Sequence, residues 1–308
     1  MLPREYPPLT ILLFSLPLLA PLPFYALAFA LLMTLCAGLI YWLLARWETR
    51  QAALIFVLYL LLGAAAVFQE RFDLVPATCT LLCLLAAERG HWRVAYVALA
   101  FGVLFKLYPL VMLPALLLAE QQALPASSSH SAEAREEDAL PEPEKASLGK
   151  HDEQASRPGQ ALSWPGRIGH TLAQWSWTNC LLCMGLMIAG MGIFALLNFS
   201  DAILSPLSYF LTRPPQIESL VGSLLWLGGQ AGIPYTIHFD YGSLNISSAL
   251  AGLLSPVDTL LLLAGLVALV WLQWRRHLDL AHVLVGLVCV LIVAGKVFSP
   301  QYLLWLFP

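Results

Sequence analysis

Charge is scarce in this sequence. Asp, Glu, Lys and Arg make up 11% of its 308 residues, while hydrophobic types make up 59%. A soluble domain carries about 25% charged residues, so an ordinary water-facing surface is excluded. Basic excess is also missing. The formal net charge is −3, and outside residues 121–170 eleven basic residues balance eleven acidic ones. That balance gives no electrostatic footprint for nucleic acid. Alternating ten-residue segments of the kind that build membrane β-barrels are absent too. The six cysteines lie in or beside apolar runs, and Cys180-Leu-Leu-Cys183 has no His or second Cys pair to complete a metal site. His238 and Asp240 lack a third ligand, so no metal is expected, and disulfides are not implied.

What is present is a series of long apolar runs, which predicts an all-α, polytopic transmembrane helical bundle. Residues 9–20, interrupted by Pro17, form a short interfacial helix. Spans follow at 23–45 and 51–68, then the polar junction "QERFD" (69–73), an apolar run at 74–87 and the junction "ERGHWR" (88–93). Residues 174–197, 248–274 and 280–295 are further spans, with a short helix at 219–228. "GGQAGIPYTIHFDYGSLN" reads as a loop. Residues 121–170 are rich in Ser, Ala, Glu and Pro and cannot bury enough apolar area to offset ordering, so they are expected to be a disordered cytoplasmic loop. Three parts result: an N-terminal membrane part (1–120), the low-complexity loop (121–170) and a C-terminal membrane part (171–308).

The run 94–118 contains one charge, Lys106, followed by Leu107, Tyr108 and Pro109. Pro109 removes a backbone donor and disfavours helix at Tyr108, so a break is expected there. Paired basic residues at Arg46/Arg50, Arg89/Arg93 and Arg275/Arg276 all fall on the cytoplasmic side only if the chain turns back at Lys106. Five polar motifs then share the opposite face: "REYPP", "ERFD", "KLYP", "RPPQIES" and "KVFSPQY".

Lys106, Arg213 and Lys296 are cations near the membrane boundary. Each can snorkel to headgroups, but Lys106 and Lys296 precede proline-containing turns rather than loops. Buried membrane charges mark function, and a cation cluster at lipid level suits a phosphate on a lipid carrier. Among the acids, Glu70 can pair with Arg71 and Glu218 with Arg213. Asp73 can cap the helix it opens. Glu5 and Asp73 are the candidates for a general base that takes a proton from an attacking hydroxyl. Ser299, Gln301 and Tyr302 offer hydrogen bonds to phosphate or sugar, and Ser299 can also cap a helix with Pro300 at its first position.

"EYPPLTILLF", "RFDLVPATCTLLCLLAAERGHWRVAYVALAFGVLFKLYPLVMLP", "RPPQIESLVGSLLWL" and "KVFSPQYLLWLFP" together resemble bacterial integral-membrane glycosyltransferases of the GT-C superfamily, particularly glycosyltransferase family 87. The resemblance implies transfer of a hexose, mannose in characterised members, from a polyprenyl-phosphate sugar to a glycan or glycolipid hydroxyl. Transfer would occur with inversion on the extracytoplasmic face of a bacterial plasma membrane. It implies no cofactor; the partners are membrane lipid, the donor and the acceptor. Carried over by motif, Arg71, Lys106, Tyr108, Arg213, Gln216, Glu218, Lys296, Ser299, Gln301 and Tyr302 are the expected substrate-binding residues, with Asp73 opening its helix. Relatives begin with one more transmembrane helix and a loop whose Asp is the expected base. Here Met1-Leu2-Pro3-Arg4 precedes Glu5 directly, so the chain is expected to be truncated, and possible inactivity follows from the absent base. A transporter or flippase is the competing expectation from broken helices, although no inverted repeat is visible.

Overall fold

The computed structural model describes Pro7 and residues 9–65, 67–123, 175–204, 208 and 212–306. Glu5 and residues 124–174, which hold nearly all of the low-complexity segment, lie outside the described residues. The chain forms two compact units, residues 1–116 with 179–308, and residues 117–178. The described helices are α1 (Thr10–Ser15), α2 (Tyr25–Trp47), α3 (Arg50–Gly63), α4 (Leu74–Glu88), α5 (Trp92–Phe105), α6 (113–123), α7 (Thr178–Leu197), α8 (Leu220–Gln230), α9 (Ala251–Trp274) and α10 (Leu280–Ala294). Among the described residues, three stretches are long and apolar enough to cross a membrane: Leu22–Trp47, Thr178–Leu197 and Ala251–Trp274.

The helix expected over 51–68 ends at Gly63, and residues 67–70 form turns. Val67 and Phe68 fold back onto the buried cluster of Ile40, Leu60, Leu74 and Leu81. Both side chains are half-buried there.

The helices α4 and α5 form a tight pair. Their junction is a Schellman cap: Gly90 has φ of +74°, its N–H donates to the Ala87 carbonyl at 3.0 Å, and the His91 N–H donates to the Ala86 carbonyl at 2.8 Å. Arg89, the C-cap residue, donates to the Trp47 carbonyl and approaches Glu48 at 3.7 Å. The α4–α5 and α2–α3 turns therefore lie together at one end of these helices.

At the other end the chain breaks as Pro109 predicts. Lys106 is extended, with φ −155° and ψ 136°, and a 3-10 turn over Tyr108–Met112 follows. A Cβ added to Gly102 would sit 3.4 Å from the Pro109 ring. In a continuous helix residues seven apart are separated by about 10.5 Å, so this contact requires the chain to fold back. Farther along, Gln273 near the end of α9 donates to the Ala115 carbonyl at 2.9 Å.

The segment read as a loop before α9 contains an antiparallel hairpin, β1 (Thr236–Asp240) with β2 (Ser243–Ser247). Tyr241 and Gly242 both have positive φ, 50° and 71°, as a two-residue type I′ turn requires. The hairpin holds the "RPPQIES" motif in place. Ile217 N–H donates to the Leu244 carbonyl and Ile246 N–H to the Pro215 carbonyl, each at 3.0 Å. Ser219 then caps α8 by accepting from Gly222 N–H at 3.1 Å.

Candidate functional site

Four chain segments converge on one cavity of about 700 Å³. From the α3–α4 junction comes Arg71, and from the α5 break come Lys106 and Tyr108. The segment before α8 supplies Arg213 and Gln216. The stretch after α10 supplies Lys296, Ser299, Gln301 and Tyr302. The segments are tied through backbone, since Gln216 N–H donates to the Lys296 carbonyl at 3.0 Å. Arg213 is oriented by the hairpin: its Nη2 donates to Ser243 Oγ at 2.7 Å, and Ser243 bonds Asn245 at 3.2 Å. Asn245 also donates to the carboxylate and carbonyl of Asp240. Asn245 is fully buried.

Lys106 is held on several sides. Its Nζ lies 2.5 Å from Asp73 Oδ1, and it sits 4.8 Å from the Trp305 ring centroid, 5.3 Å from Tyr302 and 5.4 Å from Phe72. Trp305 is sandwiched between Tyr108 and Tyr302, with ring centroids 4.1 Å away on either side. Its indole N–H donates to the same Asp73 oxygen at 2.6 Å. A buried indole needs such a partner. Asp73, 1% exposed, makes no side-chain cap for α4. It stands outside the cavity lining and positions Lys106 and Trp305, which corrects the expectation that its side chain caps the helix.

Glu218 is exposed and does not line the cavity; its neighbour Ile217 faces the hairpin instead. Glu5 is outside the described residues. Sequence reasoning missed Trp305, the hairpin residues Tyr241 and Ser243, and Asp258 with Thr259 from α9, all of which line the cavity. The signal for Asp258 was available, because a carboxylate inside a membrane-length apolar helix is itself a functional flag.

Among the described residues the lining carries four cations, Arg71, Lys106, Arg213 and Lys296, and one carboxylate, Asp258. Lys106 is answered by Asp73, whereas Arg71 and Lys296 have no carboxylate within ion-pair distance among the described residues. Such a surplus in a half-enclosed space favours an anion. Aromatic faces and apolar side chains such as Leu107, Val111, Leu262 and Leu291 make the remaining wall suitable for hydrocarbon.

The fold and cavity define a helical membrane protein with a cationic, partly apolar site at one end of its helices. Residues 5–127 match the sequence model of glycosyltransferase family 87, which implies glycosyltransferase activity. No curated protein and no solved structure matches the chain.

Proposed function

We propose that the protein transfers a hexose, mannose by family resemblance, from a polyprenyl-phosphate carrier to an acceptor hydroxyl at the extracytoplasmic face. The observation that carries this reading is the cavity's cation surplus beside apolar walls, which suits a phosphate carried on a lipid chain. Charge placement supports this choice of face. The turns bearing Arg46, Arg50, Arg89 and Arg93 lie together at the end of α4 and α5 opposite the cavity, and paired basic turns favour the cytoplasm.

In the proposed step the acceptor oxygen bonds to the anomeric carbon as the bond from that carbon to the phosphate oxygen breaks, inverting the centre. The electron pair stays on the phosphate, and the hydroxyl proton goes to a carboxylate, for which Glu5 is the sequence candidate. Negative charge grows on the leaving oxygen, so fixed cations help the transition state more than the ground state. Tyr302 and Trp305 shield Lys106, and Asp73 fixes its position, so little reorganisation is needed during the reaction.

Replacing Lys106 alone would strand the buried Asp73 charge, a change that destabilises by about 3–5 kcal/mol. The informative variant is therefore Lys106→Met combined with Asp73→Asn, with Arg71→Met as a second variant outside that pair. Transfer of radiolabelled sugar from polyprenyl-phosphate mannose is measured in membranes, with protein level in parallel. Each variant is expected to lower turnover by roughly 10²–10³-fold, the usual loss for a preorganised electrostatic contact. Near-normal transfer by both would remove the cavity cations from the chemistry. Wild-type protein that transfers from no polyprenyl-phosphate sugar would sink the enzyme reading and favour a transporter.

A further inference from the structure

The cavity has a second chemical character that phosphate binding does not use. Asp258 is 1% exposed, yet neither of its carboxylate oxygens has a hydrogen-bond partner. Lys296 interacts with it electrostatically but does not bond it. Gln216 Oε1 and Gln301 Oε1, in the same lining, are buried and unpartnered as well. A buried acceptor left unmatched is expensive, and more so when charged. Four such atoms around one cavity call for a ligand that brings donors. Phosphate brings only acceptors and would be repelled by Asp258. Hydroxyl groups supply the missing donors.

Resting on the proposed transferase reading, we infer that Asp258, with Gln216 and Gln301, forms the subsite that grips the hydroxyls of the donor's sugar. The two oxygens of Asp258 take a vicinal hydroxyl pair while the cations hold the phosphate. The carboxylate reaches this place from a helix on which Leu253, Leu260 and Leu263 are exposed. Pro256, two residues earlier, has no N–H to donate, so the α9 ladder lacks the bond to the Gly252 carbonyl just before it. The subsite discriminates a sugar-bearing carrier from the bare carrier phosphate that leaves after transfer. Asp258 thereby promotes product release as well as donor capture.

The experiment is direct binding to the purified full chain in lipid nanodiscs, with radiolabelled polyprenyl-phosphate mannose as probe and polyprenyl phosphate without sugar as competitor. Wild type is expected to prefer the sugar-bearing carrier. Asp258→Ala should weaken its binding roughly 10- to 100-fold, the worth of one hydrogen bond to a charged group, and leave binding of bare polyprenyl phosphate unweakened or tighter. Asp258→Asn keeps one acceptor oxygen and should fall between; it also serves if the alanine variant is poorly folded. Equal losses for both carriers, or no loss for either, would overturn the inference. Transfer measured on the same samples separates the two readings. Wild type that discriminates by sugar but transfers nothing would leave the subsite standing and sink the reaction. Wild type that transfers normally while Asp258→Ala binds unchanged would do the reverse.

Discussion

The helices α4 and α9 are both strongly apolar, and they bury opposite kinds of residue. α4 buries eleven of its fifteen residues, nearly all of them aliphatic, small or cysteine. It packs against α5, where Ala95, Ala98, Ala100 and Gly102 let the two backbones approach. In α9 several leucines face outward, Leu253 at 71% and Leu260 at 66% exposed, while Leu262 lines the cavity. Among its residues of described burial, the buried ones are Asp258 and Gln273. For α4 hydropathy reads protein contact, and for α9 it reads lipid contact. In a membrane lipid satisfies apolar side chains as well as protein does, so polar side chains mark where a lipid-facing helix touches its own chain.

The most disruptive test of this contrast is Gly102→Leu. A Cβ at Gly102 would already lie 3.3 Å from the Cys79 side chain and 3.4 Å from Pro109. Leucine overpacks both the α4–α5 interface and the turn behind Lys106, for an expected loss of about 1–3 kcal/mol. It should lower the melting temperature in detergent and, by displacing Pro109, lower transfer as well. The matched change on α9, Leu260→Ala, removes a side chain 66% exposed and should shift stability by less than about 0.5 kcal/mol. If the two variants melt alike, the division into protein-facing and lipid-facing helices is wrong.

A smaller effect is expected at Gln273, the other buried polar residue of α9. Its side-chain N–H donates to the Ala115 carbonyl. Interhelical hydrogen bonds in membranes average about 0.6 kcal/mol and reach about 1.7. Gln273→Leu should cost an amount in that range, read as a modest drop in melting temperature with transfer retained. A stabilised variant would show that the bond does not anchor α9.

Much of this arrangement was legible before any coordinates. The break at Lys106 followed from a charge and a proline inside an apolar run. Nine of the expected binding positions line the cavity because the polar motifs mark chain breaks at one end of the helices. What stayed hidden was pairing across distance. Asp73 meets Lys106 and Trp305 across 33 and 232 residues, and no local pattern announces such a contact. The hairpin was hidden by its composition: His238, Asn245 and Ser243 look like loop residues, and Tyr241 is a poor residue for a positive φ. Asp258 was passed over because one carboxylate barely lowers the hydropathy of a 24-residue helix.

A small effect of another kind belongs to Asp279, where the contrast between protein-facing and lipid-facing residues gives way to water. It caps α10, accepting from the His282 backbone N–H at 2.9 Å, and its side chain lies 2.7 Å from the His282 ring nitrogen. The His282 backbone N–H and then the ring hold the Asp279 carboxyl below its ordinary value, so the folded protein binds this proton less tightly than the unfolded chain. The cap's contribution is therefore present above the unfolded carboxylate pKa, about 3.9, and is lost as pH falls through the lower folded value. The side chain is 65% exposed, so solvent screening keeps the electrostatic part small. Asp279→Ala should lower stability near pH 7 by about 0.5–1 kcal/mol, the range for an exposed N-cap. Asp279→Ser, which keeps an acceptor but no charge, should recover most of it and remove the acid dependence. Melting curves of the three proteins between pH 7 and strongly acid buffer test this. Convergence of wild type with Asp279→Ala only at low pH is the expected pattern. A gap that stays constant down to the lowest pH would mean that packing, and not the ionised cap, carries the effect.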